Sequence, residues 1–124
     1  MSSVVPVRLD KALTQGYLRF EQHLSGYNLS PRKGYCWIIL GGYVVHVTGT
    51  ATQVYIDDNP TAGRVLCYIF QRVAGDASEN VTLFSTNVGN QMQWMPLVIT
   101  EQMRIVQTGA ALAGVAYIIL EWKK

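Results

Sequence analysis

Gly63-Arg64-Val65-Leu66-Cys67-Tyr68-Ile69-Phe70-Gln71-Arg72-Val73 and Gly114-Val115-Ala116-Tyr117-Ile118-Ile119-Leu120-Glu121-Trp122 are the two stretches on which the fold is decided. Both are short, rich in β-branched and aromatic residues, and flanked by glycine, which is how strands read. Alternate side chains of a strand point to opposite sides of its sheet. In the first stretch Val65, Cys67, Ile69 and Gln71 alternate with Leu66, Tyr68, Phe70 and Arg72. In the second, Val115, Tyr117 and Ile119 alternate with Ala116, Ile118, Leu120 and Trp122. All four faces are largely apolar. A strand in an isolated sandwich needs only one such face, so the second face calls for further cover, and contact with another subunit is the favoured source.

Outward from these stretches the same texture repeats from Tyr35 onward, with candidate strands at 35–40, 43–48, 52–57, 64–73, 80–85, 92–99, 102–107 and 114–122. Between them lie Gly41-Gly42, Asp57-Asp58-Asn59-Pro60, Gly75-Asp76, Asn87-Val88-Gly89-Asn90 and Thr108-Gly109, all suited to tight turns. Turn signals at intervals of roughly 8–12 residues mark an all-β sandwich. Eight strands suffice for two packed sheets.

Composition limits the function. The chain has 124 residues and a formal charge of +2, which fits one domain. Its hydrophobic fraction of 49% excludes disorder, while its charged fraction of 15% lies well below the roughly 25% of ordinary globular domains. A small domain has much surface for its volume, so an uncharged exterior points to a surface covered by copies of the chain or by a partner. No stretch reaches the roughly 18 continuous apolar residues of a membrane-spanning helix. Met1-Ser2-Ser3-Val4-Val5-Pro6 has neither the basic flank nor the apolar run of a secretory signal, so synthesis and folding in a cytoplasm are expected. Cys36 and Cys67 sit in apolar runs without metal or redox spacing and read as buried free thiols.

The first 34 residues differ from the rest. Up to Tyr35, Arg8, Lys11, Arg19, Arg32 and Lys33 stand against Asp10 and Glu21, a net +3, whereas the remainder carries a net −1. Two readings of this segment stand side by side. One is a short helix over 10–24, with Asp10 as N-cap and Ser25-Gly26 as its end. The other is an extended arm from Val4, with a strand at 17–20 laid on a sheet of its own or a neighbouring subunit. Asn28-Leu29-Ser30-Pro31-Arg32-Lys33-Gly34 reads as a connector, which divides the chain into an arm or helix over 1–34 and a sandwich over 35–124.

Catalytic signatures are missing from the sequence. It holds no G-x-S-x-G, no H-E-x-x-H, no phosphate-binding loop and no dinucleotide fingerprint. Two separated histidines, His23 and His46, do not make a metal cluster, and His46 reads as a strand residue facing polar surroundings. Asp57-Asp58-Asn59 lacks the ligand spacing of a calcium loop and reads as a turn before Pro60. Asn28-Leu29-Ser30 and Asn80-Val81-Thr82 match the glycosylation triplet, which occurs often by chance. No enzyme, cofactor or metal is expected. Arginines beside aromatics at 17–20 and 68–72 suggest base stacking, but a net +2 is weak for a protein that tracks phosphates, so nucleic acid is not the expected partner. Trp37, Trp94 and Trp122 read as packing residues. The alternative is a glycan- or receptor-binding module using Trp94, Tyr55 or nearby loops, since flat rings stack on sugar faces.

The succession of 63–70, Glu79-Asn80-Val81-Thr82-Leu83-Phe84, the run from Met95-Pro96-Leu97-Val98 to Ile105, and Ala113 to Trp122 resembles small jelly-roll structural proteins of bacteriophage virions. The likeness is one of strand and turn pattern over about 63–122, and no site residue is carried across by it. It implies a two-sheet jelly-roll-like sandwich with an N-terminal arm or short helix. It also implies a capsid, decoration or tail component located in the virion and assembled in the host cytoplasm. Such a protein works as a homo-oligomer and by binding other virion structural proteins. The expected contact residues are Tyr17, Leu18 and Phe20 on the arm, with Leu66, Tyr68, Phe70, Ile118 and Leu120 on the second apolar faces.

Overall fold

A computed structural model of the chain describes residues 11, 14–24, 26–58, 63–83 and 97–124. Through them run the strands β1 (Tyr17–Leu24), β2 (Asn28–Leu29), β3 (Tyr35–His46), β4 (Thr52–Asp57), β5 (Val65–Arg72), β6 (Glu79–Leu83), β7 (Leu97–Thr100), β8 (Arg104–Thr108) and β9 (Gly114–Lys123). All pairings are antiparallel. In the larger sheet β9 lies between β1 and β3. The other edge of β3 is shared, with β7 opposite residues 36–39 and β6 opposite residues 42–46. Because β6 and β7 run in the same direction along β3, they occupy one lane end to end.

With that lane counted once, the larger sheet reads β1-β9-β3-β6/β7 and the smaller reads β2-β8-β4-β5. Successive strands change sheet except at β4–β5 and β6–β7, which is the wiring of a jelly roll. The fold is thus the all-β, two-sheet sandwich that the strand pattern implied.

The core lies between the sheets. It is built from Trp37, Ile39 and Val44 of β3, Val54 and Ile56 of β4, Phe70, Leu83, Ile99 and Ile105, and Val115, Tyr117 and Ile119 of β9. Burying each such side chain contributes about 1.5–3 kcal/mol. A second apolar cluster, Cys36, Ile38 and Trp122 with Leu40, Val98 and Leu120 against it, sits on the opposite face of the same β3–β9 pair. Both faces of β9 are therefore apolar, and at its Trp122 end both pack.

Gly41-Gly42, read from sequence as a turn between two strands, lies inside the single twelve-residue strand β3. The register against β9 jumps from Ile39–Ile119 to Gly41–Ile118, so Leu40 is an extra residue and the site is a β-bulge. The bulge changes the phase of the strand. Without it Val45 would face the core; with it Val44 and His46 do, both wholly buried. Gly42 makes this possible, since its φ is +146° and a Cβ there would stand 1.9 Å from the carbonyl oxygen of Ala116.

Two further bulges break the alternation of β5. Its register against β4 runs Val54–Phe70, Tyr55–Tyr68, Ile56–Cys67, Asp57–Val65, which passes over Ile69 and Leu66. Phe70 therefore turns inward with Val54, while Tyr68 turns outward with Tyr55, and the two no longer share a face. Phe70→Ala is expected to cost about 3–5 kcal/mol. Tyr68→Ala is expected to change stability by less than about 1 kcal/mol in the isolated chain. Paired denaturant titrations check this; equal losses would mean that β5 alternates without bulges.

From Tyr17 on, the N-terminal segment is woven into the chain's own sheets, while Val4 to Asp10 and Ser25 lie outside the described residues. β1 pairs with β9 from Tyr17–Glu121 to Leu24–Gly114, so the helix over 10–24 is replaced by a strand over most of its length. Among the described residues helical backbone is confined to Lys11, Thr14 and Gln15. The connector over 28–34 also contains a short strand, since Asn28 and Leu29 pair with Val106 and Ile105 of β8. Residues 84–96, including Trp94, the Asn87–Asn90 turn and the start of the 92–99 strand, lie outside the described residues, as do Asn59 and Pro60.

Candidate assembly surface

β1 has an unusual polarity. Opposite residues of an antiparallel pair share a face. Tyr17, Arg19, Glu21 and His23, which oppose the inward residues Glu121, Ile119, Tyr117 and Val115, therefore face the sandwich interior. Leu18, Phe20, Gln22 and Leu24 face outward with Leu120, Ile118, Ala116 and Gly114. The strand thus turns its charges in and its apolar side chains out.

The inward charges converge on Glu121. Its carboxylate is 1% exposed and accepts hydrogen bonds from the Tyr17 hydroxyl, from Trp37 Nε1 at 2.6 Å and from Arg19 Nη1 at 3.0 Å. Arg32 Nη2 lies 3.5 Å from it and donates to the Tyr17 hydroxyl at 2.8 Å. Burial opposes ionisation of Glu121, but the donors from Tyr17, Trp37 and Arg19 outweigh it and hold the carboxyl below its ordinary range. Arg19 also pairs with Glu21, whose second oxygen meets His23 Nε2 at 2.7 Å, and the His23 ring stacks on Tyr27 at 3.5 Å. The network locks β1 against the edge of β9.

The outward side is open. Leu18, Phe20, Leu24 and Ile118 are 55, 72, 68 and 36% exposed. Beside them the small residues Gly42 and Ala116 floor a hollow of about 380 Å³ walled by Phe20, Gln22, Tyr43 and Ile118. This apolar strip adjoins the covered cluster of Cys36, Ile38 and Trp122 through Leu120, which is half-buried.

The contact residues expected from sequence separate into three groups. Leu18, Phe20, Ile118 and Leu120 come together on the outer face of the larger sheet. Leu66 and Tyr68 are exposed on the edge strand β5, where Tyr68 meets Tyr55 at 5.6 Å in a tilted pair. Tyr17 faces inward to Glu121, and Phe70 belongs to the core. Phe70 leaves the set because the bulges reverse its side.

Other residues resolve as follows. Trp37 and Trp122 are buried packing residues. His46 is buried, with Nδ1 2.8 Å from the Thr52 hydroxyl and Nε2 3.2 Å from the Asp76 carbonyl oxygen. Cys36 is buried as expected, and burial pushes its thiol up, but Cys67 is exposed on β5. It stands opposite the core residue Ile56, but on the edge strand of the smaller sheet. Asp57, expected in a turn, ends β4 and is buried against Arg104, whose Nε lies 2.9 Å from it. Asp58 holds Arg64 instead.

Sequence reasoning missed the Glu121 centre. Its signal was present: Glu121 continues the inward series Val115, Tyr117, Ile119, and a charge at a core position demands partners. Among the described residues no group of three or more His, Cys, Asp or Glu could hold a metal, and no helix is long and apolar enough to cross a membrane. No protein-family model, curated protein or solved structure matches the chain at a significant level.

Proposed function

We propose that this chain is a virion structural protein, a capsid, decoration or minor coat or tail component, that acts by self-association and by binding other coat proteins. One observation carries the reading: the outward strip of Leu18, Phe20, Leu24 and Ile118 on a sheet that is already packed on its inner side. Few charges interrupt the strip, and apolar surface of this kind is what subunit contacts bury. The jelly-roll wiring supports the class, since coat proteins are among the users of that architecture, but lectins and cupins use it too. Wiring alone therefore does not decide.

Size-exclusion chromatography with light scattering tests the proposal. At micromolar concentration the chain is expected to elute as an oligomer, and Ile118→Asp is expected to shift it toward the 13.8 kDa monomer with unchanged circular dichroism. A stable monomer that also binds no coat protein would defeat the reading.

A second reading has its own support. Tyr55 and Tyr68 present an aromatic pair on the outer face of the smaller sheet, with Tyr68 47% exposed. Such a pair suits a glycan-binding surface. Their rings are inclined at 58°, which gives a sugar no continuous flat platform. Glycan binding lost in Tyr68→Ala with the fold intact would favour this reading over assembly.

A further inference from the structure

β1 ends the larger sheet, and among the described residues no strand pairs with its second edge. An unpaired edge is a template for another strand, and proteins usually blunt it with outward charge, proline or an inward charge that pairing would bury unmatched. β1 has no proline, and its outward side chains are Leu18, Phe20, Gln22 and Leu24. Its inward charges are Arg19 and Glu21, one on each side of Phe20. That spacing is self-complementary.

We infer that two copies of this chain join by antiparallel pairing of β1 with β1 about a two-fold axis through Phe20, which makes the two larger sheets continuous. The inference rests on the assembly reading and names one contact, at the edge of the outward strip, that the assembly uses. A two-fold axis normal to the sheet keeps outward residues on one side, so only registers centred on a residue are allowed. Centred on Phe20, the register sets Arg19 against Glu21 of the second copy and Leu18 against its Gln22, with the two Phe20 rings side by side. Centred on Arg19 or Glu21, it sets like charges directly opposite each other, which is destabilising. Charge thus rejects the registers centred on Arg19 and Glu21; of those that remain, centring on Phe20 pairs the longest stretch of β1, and it sets Arg19 and Glu21, already paired within each chain, against opposite rather than like charge.

In that register the two Phe20 Cα atoms lie about 4.5–5.5 Å apart, within disulfide reach. The two Leu18 positions are displaced by four residues, about 13 Å along the strand, which is beyond it. The test uses the full chain with Cys67→Ser, so that no native exposed thiol competes. On oxidation Phe20→Cys is expected to move from 13.8 kDa to twice that mass on a non-reducing gel, while Leu18→Cys does not. A mixture of Leu18→Cys with Gln22→Cys is expected to give the covalent pair. All three positions are exposed, and circular dichroism matching the parent chain verifies their folding.

If the parent chain is an oligomer but Phe20→Cys gives no covalent pair, the β1 contact is overturned and assembly stands through another surface. Equal cross-linking of Phe20→Cys and Leu18→Cys also overturns the register. A monomeric parent chain overturns the contact, and the assembly reading falls with it when the chain also binds no coat protein.

Discussion

Gly42→Ala is expected to destabilise the fold by about 3 kcal/mol or more, from a strained backbone added to overpacking against a neighbouring strand. The added methyl would meet backbone, since the Ala116 oxygen stands 1.9 Å and the Ala116 carbonyl carbon 2.9 Å from the Cβ position. Neither can move without displacing the centre of the larger sheet. At a φ of +146° the conformation is also one that L-residues rarely adopt. The adjacent glycine is the control. A Cβ on Gly41 would find only the Leu83 oxygen, at 3.8 Å, so Gly41→Ala is expected to be close to neutral. Thermal melts should separate the two variants by roughly 10 °C. Equal melting temperatures would mean that the bulge is not where the register places it.

Glu121→Leu is the second large effect, expected at about 3–5 kcal/mol, because it strips the acceptor from groups that stay behind at a buried site. The Trp37 indole loses its hydrogen-bond partner inside the sandwich, and Arg19 keeps Glu21 and the Trp37 ring, 5.3 Å away. The carboxylate also sets a pH dependence. Its folded value is depressed, so its stabilisation is fully present above the unfolded value of about 4.3 and is lost as pH falls through the folded one. The urea midpoint should be level from neutrality to about pH 5 and fall below it. Glu21, Asp58 and Glu101 are shifted in the same direction, so Glu121→Gln should flatten the acid limb without removing it. An acid limb unchanged by Glu121→Gln would show that the buried carboxylate is not ionised in the fold.

The parts of the fold that sequence made legible are those where pattern and punctuation agree. The strand over 52–57 matches β4 residue for residue, and that over 114–122 falls one residue short of β9. Val54 and Ile56 alternate inward with Gln53 and Tyr55, which do not, and a glycine opens β9. The bulges were not legible. Alternation carries phase only when one face is polar, and around Gly41 and within 65–70 both faces are apolar, so a one-residue slip leaves no trace in the pattern. Two adjacent glycines then look like a turn, although one of them serves a close approach between strands. β2 was hidden for a different reason, being two residues long and held by partners 78 and 76 positions away. The outer contact residues Leu18, Phe20 and Ile118 could be named from sequence, because an apolar residue on a second face stands out. Their gathering into one strip depends on β1 lying beside β9, which no local signal encodes.

The lane order of the larger sheet also dictates when it can exist. β9 sits between β1 and β3, yet it is the last of the nine strands among the described residues, and Tyr17 must find Glu121 across 104 residues. During translation β1 and β3 leave the ribosome with no strand to join them, and the sheet closes only when β9 emerges. Pairings of such long sequence separation carry a high entropic cost of ring closure, which places folding on a scale of roughly milliseconds to seconds. Until β9 docks, Leu18 and Phe20 have no Ile118 beside them, so the outward strip is assembled in the last step of folding rather than in the first.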